Sequence, residues 1–132
     1  MPDRVKRWIT HNSAFRVLVA DSTETVRAAA EVANAVPEVT DMFGRLVTGV
    51  ALFQLAQAPL DRVQCALHHT GMAGELLAEA RPGPFVRGRV EYPRPEMEPY
   101  LADPSTIQVS RVNPRHPGKL YQSVVPVTSG SI

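Results

Sequence analysis

The stretch from Pro37 to Gln57, PEVTDMFGRLVTGVALFQLAQ, constrains this chain more than any other. Set at about 100° per residue, its apolar side chains do not gather on one face. Met42, Phe53 and Leu46 lie on one side, Val50 and Phe43 follow round, and Val47, Ala51, Leu55 and Leu52 complete the circle. Arg45, Thr48, Gln54 and Gln57 interrupt that circle without forming a stripe. A helix that is apolar all round is either buried in a core or embedded in a membrane. A membrane span needs ~20 consecutive, mostly apolar residues. The uncharged run from Leu46 to Leu60 is shorter, and Thr48, Gln54 and Gln57 fall inside it. Burial in a protein core is therefore the better reading, with Leu46, Val50 and Phe53 as core residues. Gly44, Gly49, Ala51 and Ala56 suit a helix that neighbouring backbone approaches closely. A central helix covered on more than one side follows from these residues.

The flanking sequence supplies candidate cover. Val5 to Thr10 and Phe15 to Ala20 are rich in β-branched and aromatic residues and read as strands, with His11-Asn12-Ser13 as the turn between them. Phe15, Val17 and Val19 alternate with Arg16 and Leu18, which predicts that their face of the hairpin is buried. Ser22 to Ala35 reads as an amphipathic helix, with Asp21-Ser22 as N-cap and Glu24 as capping-box partner. Val36-Pro37 predicts a sharp corner before the central helix, and Pro59 its end. Ten of the 12 prolines follow residue 58, so the second half should be strands and turns. Strands are expected at Val63 to Leu67, Leu76 to Ala80, Phe85 to Tyr92, Thr106 to Val112 and Tyr121 to Val127. Pro93 to Pro104 reads as a long loop, and Pro126 places the last strand at an edge or a strand end. The expected fold class is α+β, a layered β/α/β arrangement with the helix near 37–57 buried between antiparallel sheets.

At 132 residues the chain reads as one domain, large enough to bury a core of its own. A net charge of +1 with scattered basic residues gives no electrostatic case for nucleic acid or membrane as a partner. The single cysteine, Cys65, precludes an intrachain disulfide or a multi-cysteine metal site and points to a reducing compartment, the cytoplasm. The first residues carry Asp3, Arg4, Lys6 and Arg7 and lack the apolar core of a signal peptide.

Each residue with chemical potential has a plainer reading. Cys65 sits in phase with Val63 and Leu67 and reads as a small buried hydrophobe rather than a reactive thiol. His68 and His69 are neighbours on a strand, point to opposite faces, and so are poor joint metal ligands. His11 and His116 fall in predicted turns. Glu75, Glu79, Glu91, Glu96 and Glu98 have no partner in sequence that marks acid–base work. Gly71-Met72-Ala73-Gly74 matches no phosphate-binding pattern, and no GxSxG or HExxH occurs. Arg87, Arg89 and Arg111 could form a basic strip, though their scatter beside Glu91 favours ordinary surface pairs. No catalytic, cofactor-binding or metal-ligating residue is assigned, and no motif marks a ligand-contacting residue.

Five short motifs, in order, resemble the heat-shock protein 33 family of bacterial redox-regulated holdase chaperones. Arg16-Val17 through Asp21-Ser22-Thr23-Glu24 resembles the family's strand leading into "ADTTE". Pro37 to Gln57, with Gly44-Arg45-Leu46 and Thr48, resembles "LGRLLTAALLL". Gly74-Glu75-Leu76-Leu77-Ala78-Glu79-Ala80 resembles "GGLLAEA", and Val86-Arg87-Gly88-Arg89-Val90 with Pro93 resembles "VRGYVxNP". Tyr121-Gln122-Ser123-Val124-Val125-Pro126-Val127 with Ser129-Gly130 resembles "YxGxVPLVSGEI". The likeness runs from Asp3 to Ile132. One departure is His68-His69-Thr70-Gly71, where the family usually carries "GDG".

The resemblance implies a fold with a buried helix between two β layers. It implies a heat-shock, ATP-independent holdase that binds unfolded client proteins, with a homodimer as a further expectation and no enzymatic activity. In the family, a linker and a C-terminal module with four zinc-binding cysteines follow, and oxidation of those thiolates is the regulatory switch. None of those cysteines occurs here, so no zinc, disulfide or redox switch is assigned to this chain. The expectation is a core domain over 1–132, more readily a fragment or truncated form of a longer chaperone than a natural short homologue. An α+β enzyme or small-molecule-binding domain, and an inert fragment, stand as the alternatives.

Overall fold

The structure is a computed structural model that describes residues 2–68, 74–83, 85–92 and 105–127. Two strands, β1 (Arg4–Ile9) and β2 (Arg16–Asp21), precede two helices, α1 (Thr23–Ala33) and α2 (Pro37–Gln57). Five strands follow: β3 (Arg62–His68), β4 (Glu75–Arg81), β5 (Phe85–Glu91), β6 (Thr106–Val112) and β7 (Leu120–Pro126). β1 and β2 form an antiparallel hairpin. The other five form one antiparallel sheet in the order β5-β4-β3-β6-β7. The expected loop at Pro93–Pro104, residues 69–73 and the segment after Val127 lie outside the described residues.

α2 forms where the sequence places it. Val36 is extended (φ −71°, ψ 155°), Pro37 opens the helix, and Ala58 closes it just before Pro59. The corner before it is made by Asn34 in the left-handed conformation (φ 53°), which ends α1. α2 packs on β3, β4 and β5 on one side and touches β2 and α1 on others, which is the layered α+β arrangement expected. Val39, Phe43, Leu46, Val47, Val50 and Gln54 are buried. They recur at helical spacing and form one stripe against Val63, Cys65, Leu67, Leu76, Ala78 and Ala80 of the sheet.

Two features of α2 differ from the sequence reading. Phe53 is 38 % exposed and is not a core residue. Buried Gln54 takes the place beside it, with Nε2 donating to the carbonyls of Pro59 (3.0 Å) and Asp61 (3.3 Å). Those bonds fix the reversal of the chain into β3, so a polar side chain earns a core position through backbone acceptors. An open stripe also exists: Asp41, Arg45, Gly49, Phe53 and Gln57 are exposed at intervals of four. Apolar Phe53 and side-chain-free Gly49 hid it from a polarity pattern.

Small residues set the distances between layers. A Cβ on Gly44 would lie 2.9 Å from Cγ1 of Val26, so α1 and α2 are in close approach. A Cβ on Gly88 would lie 2.6 Å from the Phe43 ring. Gly88 pairs with Ala78 across β4 and β5, and this shallow spot in the sheet receives the ring of Phe43.

α1 is capped only in part as expected, with Oδ1 of Asp21 accepting from the backbone N–H of Thr23 (3.3 Å). Ser22 occupies the N-cap position, yet its hydroxyl bonds to that of Thr48 on α2 (2.7 Å). Glu24 pairs with Arg27 instead of closing a capping box. Asp3 supplies the cap: its carboxylate accepts from the backbone N–H of Glu24 (3.1 Å) and Thr25 (2.6 Å). Hydrogen bonding from the Thr25 side chain, with the backbone N–H groups of Thr25 and Glu24 adding to it, holds the Asp3 carboxyl below the usual carboxylate range. At the other end of the hairpin, Nη2 of Arg16 donates to the carbonyl of Ala56 in the last turn of α2 (2.7 Å). The hairpin is thus pinned at both ends by helix termini.

Candidate functional site

Strand alternation divides the large sheet into two faces. Val63, Cys65 and Leu67 turn toward α2, and Gln64, Ala66 and His68 turn away. The register carries this alternation across the sheet. Glu75, Leu77 and Glu79 therefore share the outer face with Arg87, Arg89 and Glu91, and with Gln108, Ser110 and Gln122 beyond β3.

The outer face holds the charged groups. Glu79 is 6 % exposed and is the buried charge of this face. Its carboxylate accepts from Arg81 (3.0 Å) and Arg87 (3.0 and 2.9 Å) and pairs with Arg62 (3.3 Å). Burial pushes its pKa up, but the Arg81 and Arg87 hydrogen bonds and the Arg62 charge outweigh that and hold it below its ordinary value. A carboxylate with both oxygens committed to arginines is fixed as an anion, which suits a structural tie between β3, β4 and β5 rather than proton transfer. Nearby, Nδ1 of His68 lies 2.9 Å from Oε1 of Glu75. These groups border a depression of about 290 Å³ together with Gln64, Arg89, Glu91 and Gln108.

The structure separates the other residues singled out in the sequence. Cys65 is buried on the α2 side, and burial pushes its thiol up to about 11, so it is protonated and unreactive at neutral pH. The sheet backbone lies between it and His68, so the imidazole cannot activate it. Arg87 faces outward and binds Glu79, Arg89 approaches Glu91 (3.9 Å), and Arg111 lies on the other face over the Tyr121 ring (5.0 Å to its centre). They form no strip. His11 and His116 are exposed, as turn residues should be. His69, Gly71 to Ala73, Glu96 and Glu98 lie outside the described residues. No cluster of metal-ligating side chains occurs among the described residues, and one cysteine cannot build a four-thiolate zinc centre. No described helix is long and apolar enough to cross a membrane.

The hairpin contradicts the sequence reading most clearly. Alternation predicts Phe15, Val17 and Val19 as the buried face, yet they are 71 %, 52 % and 53 % exposed. Leu18 and Ala20 are the half-buried residues of β2 instead. The reason is geometric. Ala20 lines the cavity of about 420 Å³ between hairpin and α2, beside Val47, Ala51 and Leu55, so the small residue faces the helix and the large ones face out. Trp8 pairs with Val17 and shares that outward face. Lys6 is the residue opposite Val19. Trp8, Phe15, Val17 and Val19 together make an exposed apolar surface with no cover among the described residues.

Comparison with known proteins identifies the family. The family model described as Hsp33 protein matches residues 3–132. The 33 kDa chaperonins of two Thermus thermophilus strains are each 31 % identical over 140 aligned residues. Those alignments cover 98 % of this chain and 40 % of each relative, so the chain spans well under half of their length. The crystal structure of the 33 kDa chaperonin from Thermotoga maritima superposes with a TM-score of 0.72 over 96 % of this chain and 46 % of that one, at 21 % identity. That likeness bears on the fold, which agrees with the two antiparallel sheets and paired helices seen here. The chain belongs to the Hsp33 family.

Proposed function

We propose that this chain is an ATP-independent holdase: it binds unfolding polypeptides through exposed apolar surface and keeps them from aggregating. The carrying observation is the outward hairpin face of Trp8, Phe15, Val17 and Val19, each more than half exposed. A soluble protein that leaves large side chains together in water has a binding use for them. The chaperonin name carried by its Thermus relatives supports the same reading. Holding needs no catalytic group, which accords with Glu79 locked among arginines and Cys65 inert in the core. On this reading the protein is not an enzyme. It works in the cytoplasm on unfolded clients, and association with a second copy belongs to the proposal as well. Redox control would require zinc-binding thiolates that these 132 residues do not contain.

Light scattering tests the reading. Reduction of insulin releases a B chain that aggregates at room temperature, so the test protein is never heated. Scattering should fall progressively as this chain is added and be largely suppressed near equimolar ratio, with no nucleotide present. Unchanged scattering with the folded chain in excess contradicts the proposal.

A further inference from the structure

β7 ends the five-stranded sheet, and every residue from Leu120 to Pro126 is exposed. The opposite edge is guarded. β5 carries Arg87, Arg89 and Glu91, and α1 packs against it. Charge, proline and a covering element are the usual protections of a sheet edge. β7 has no charged residue, alone among the seven described strands. Among the described residues its protection is a single proline at one end.

The register shows which backbone groups remain free to pair. The N–H of Val127 donates to the carbonyl of Ser105 (2.9 Å), and the pairing from Thr106–Pro126 to Val112–Leu120 is unbroken. Tyr121, Ser123, Val125 and Val127 therefore turn their N–H and C=O toward β6, while Leu120, Gln122, Val124 and Pro126 turn theirs to the open edge. Pro126 has no N–H and ends the ladder there. Exposed apolar side chains stand on both sides of this edge, Tyr121 and Val125 on the α2 side and Leu120 and Val124 on the other, with polar Ser123 and Gln122 between them.

We infer that the open edge of β7 takes hold of the client, an extended apolar segment of an unfolded polypeptide that adds to the sheet beside β7. The inference rests on the holdase reading and adds a second client-contacting element to the hairpin face. Backbone pairing is indifferent to sequence, as holding many different chains requires. The side chains flanking the ladder select segments that folded proteins bury, and an uncharged strand repels neither sign of charge. A second copy of this chain fits less well. Two β7 strands pairing about Ser123 place each Pro126 opposite the other's Leu120, so the ladder loses a hydrogen bond at both ends. A client strand without proline loses one.

The test uses two variants in the insulin assay. Val124→Pro removes an outward N–H and leaves the bonds to β6 intact. Val124→Lys adds a guarding charge. Val32→Lys, on an exposed site of α1, is the control. Losing one net hydrogen bond to the client should raise the amount of chain needed for half-suppression about fivefold in Val124→Pro, and the charge of Val124→Lys should raise it as well. The control should match the parent, and circular dichroism and melting should be unchanged in all. Parent and β7 variants that suppress equally overturn the edge inference and leave the holdase reading standing. A parent that does not suppress overturns both. Variants that change only self-association, measured by sedimentation, also overturn it, because the edge would then serve a second copy.

Discussion

Phe43 and Gly88 show how closely residue identity is tied to the spacing of layers. The ring of Phe43 is fully buried against a glycine whose missing Cβ it replaces. Leu77 O would also lie 3.0 Å from a Cβ there, so neither side can yield freely. Gly88→Val should destabilise the fold by about 1–3 kcal/mol through overpacking. Gly49 is the contrast: it lies on the exposed stripe of α2, and a Cβ would meet nothing within 4 Å. Gly49→Ala should stabilise by about 1 kcal/mol, because the helix interior gains a better former at no steric cost. Urea titrations of the two variants beside the parent check the opposite signs.

Glu79 gives a prediction in pH. Its carboxyl lies below the ordinary 4.5 in the folded chain, so the unfolded state binds the proton first as pH falls. Its contribution is complete above that ordinary value and is lost as pH drops through the lowered folded value. At pH 7, Glu79→Gln should cost about 2 kcal/mol, the range for hydrogen bonds to a charged group. The melting-point gap between Glu79→Gln and the parent should stay constant down to about pH 5 and close below it. A gap that is unchanged at pH 3 contradicts the ion cluster. This cluster was not legible in the sequence. Arg81 shares a face with Glu79 by strand alternation, but Arg62 and Arg87 join them only through the register of three strands, which their spacing does not announce.

Among the elements, α2 was the most legible and the hairpin the least. The bounds of α2 follow from Pro37 and Pro59, and its central place follows from having no wide polar face. Strands β3 and β6 were legible for related reasons: strict alternation in one, and β-branched residues between turn signals in the other. The hairpin misled because β2 is apolar on both faces. The choice of inward face then depends on the room beside α2, where Ala20 fits and Val19 does not turn in. The Asp3 cap was hidden for a different reason, since it comes from a carboxylate 21 residues before the N–H it accepts from. Val50 tests the helix itself. It is 1 % exposed, so Val50→Asp buries a charge with no partner, and cooperative unfolding should disappear from its thermal melt. A variant that melts like the parent would show that α2 is not the centre of the core.

At the scale of the molecule, the layers divide two tasks. α2 and the inner sheet face hold the fold together, with the arginine cluster fastening the outer face. The hairpin and β7 are left with apolar side chains in water. The layered fold was legible from one helix. The family was legible from short motifs in order, and the model match and Thermus relatives bear it out. The surfaces that would meet a client were not legible, because an exposed valine and a buried one look alike in a sequence. Only the packing around Val17, Val19, Val124 and Val125 distinguishes them.

The central claim is that this folded chain retains unfolded polypeptide. The direct measurement is size-exclusion chromatography of the chain mixed with reduced, carboxymethylated α-lactalbumin, which stays unfolded without heat or denaturant. The account predicts that the two elute together, earlier than either alone, with no nucleotide added. Separate elution at micromolar concentration, with the chain still folded by circular dichroism, would contradict it.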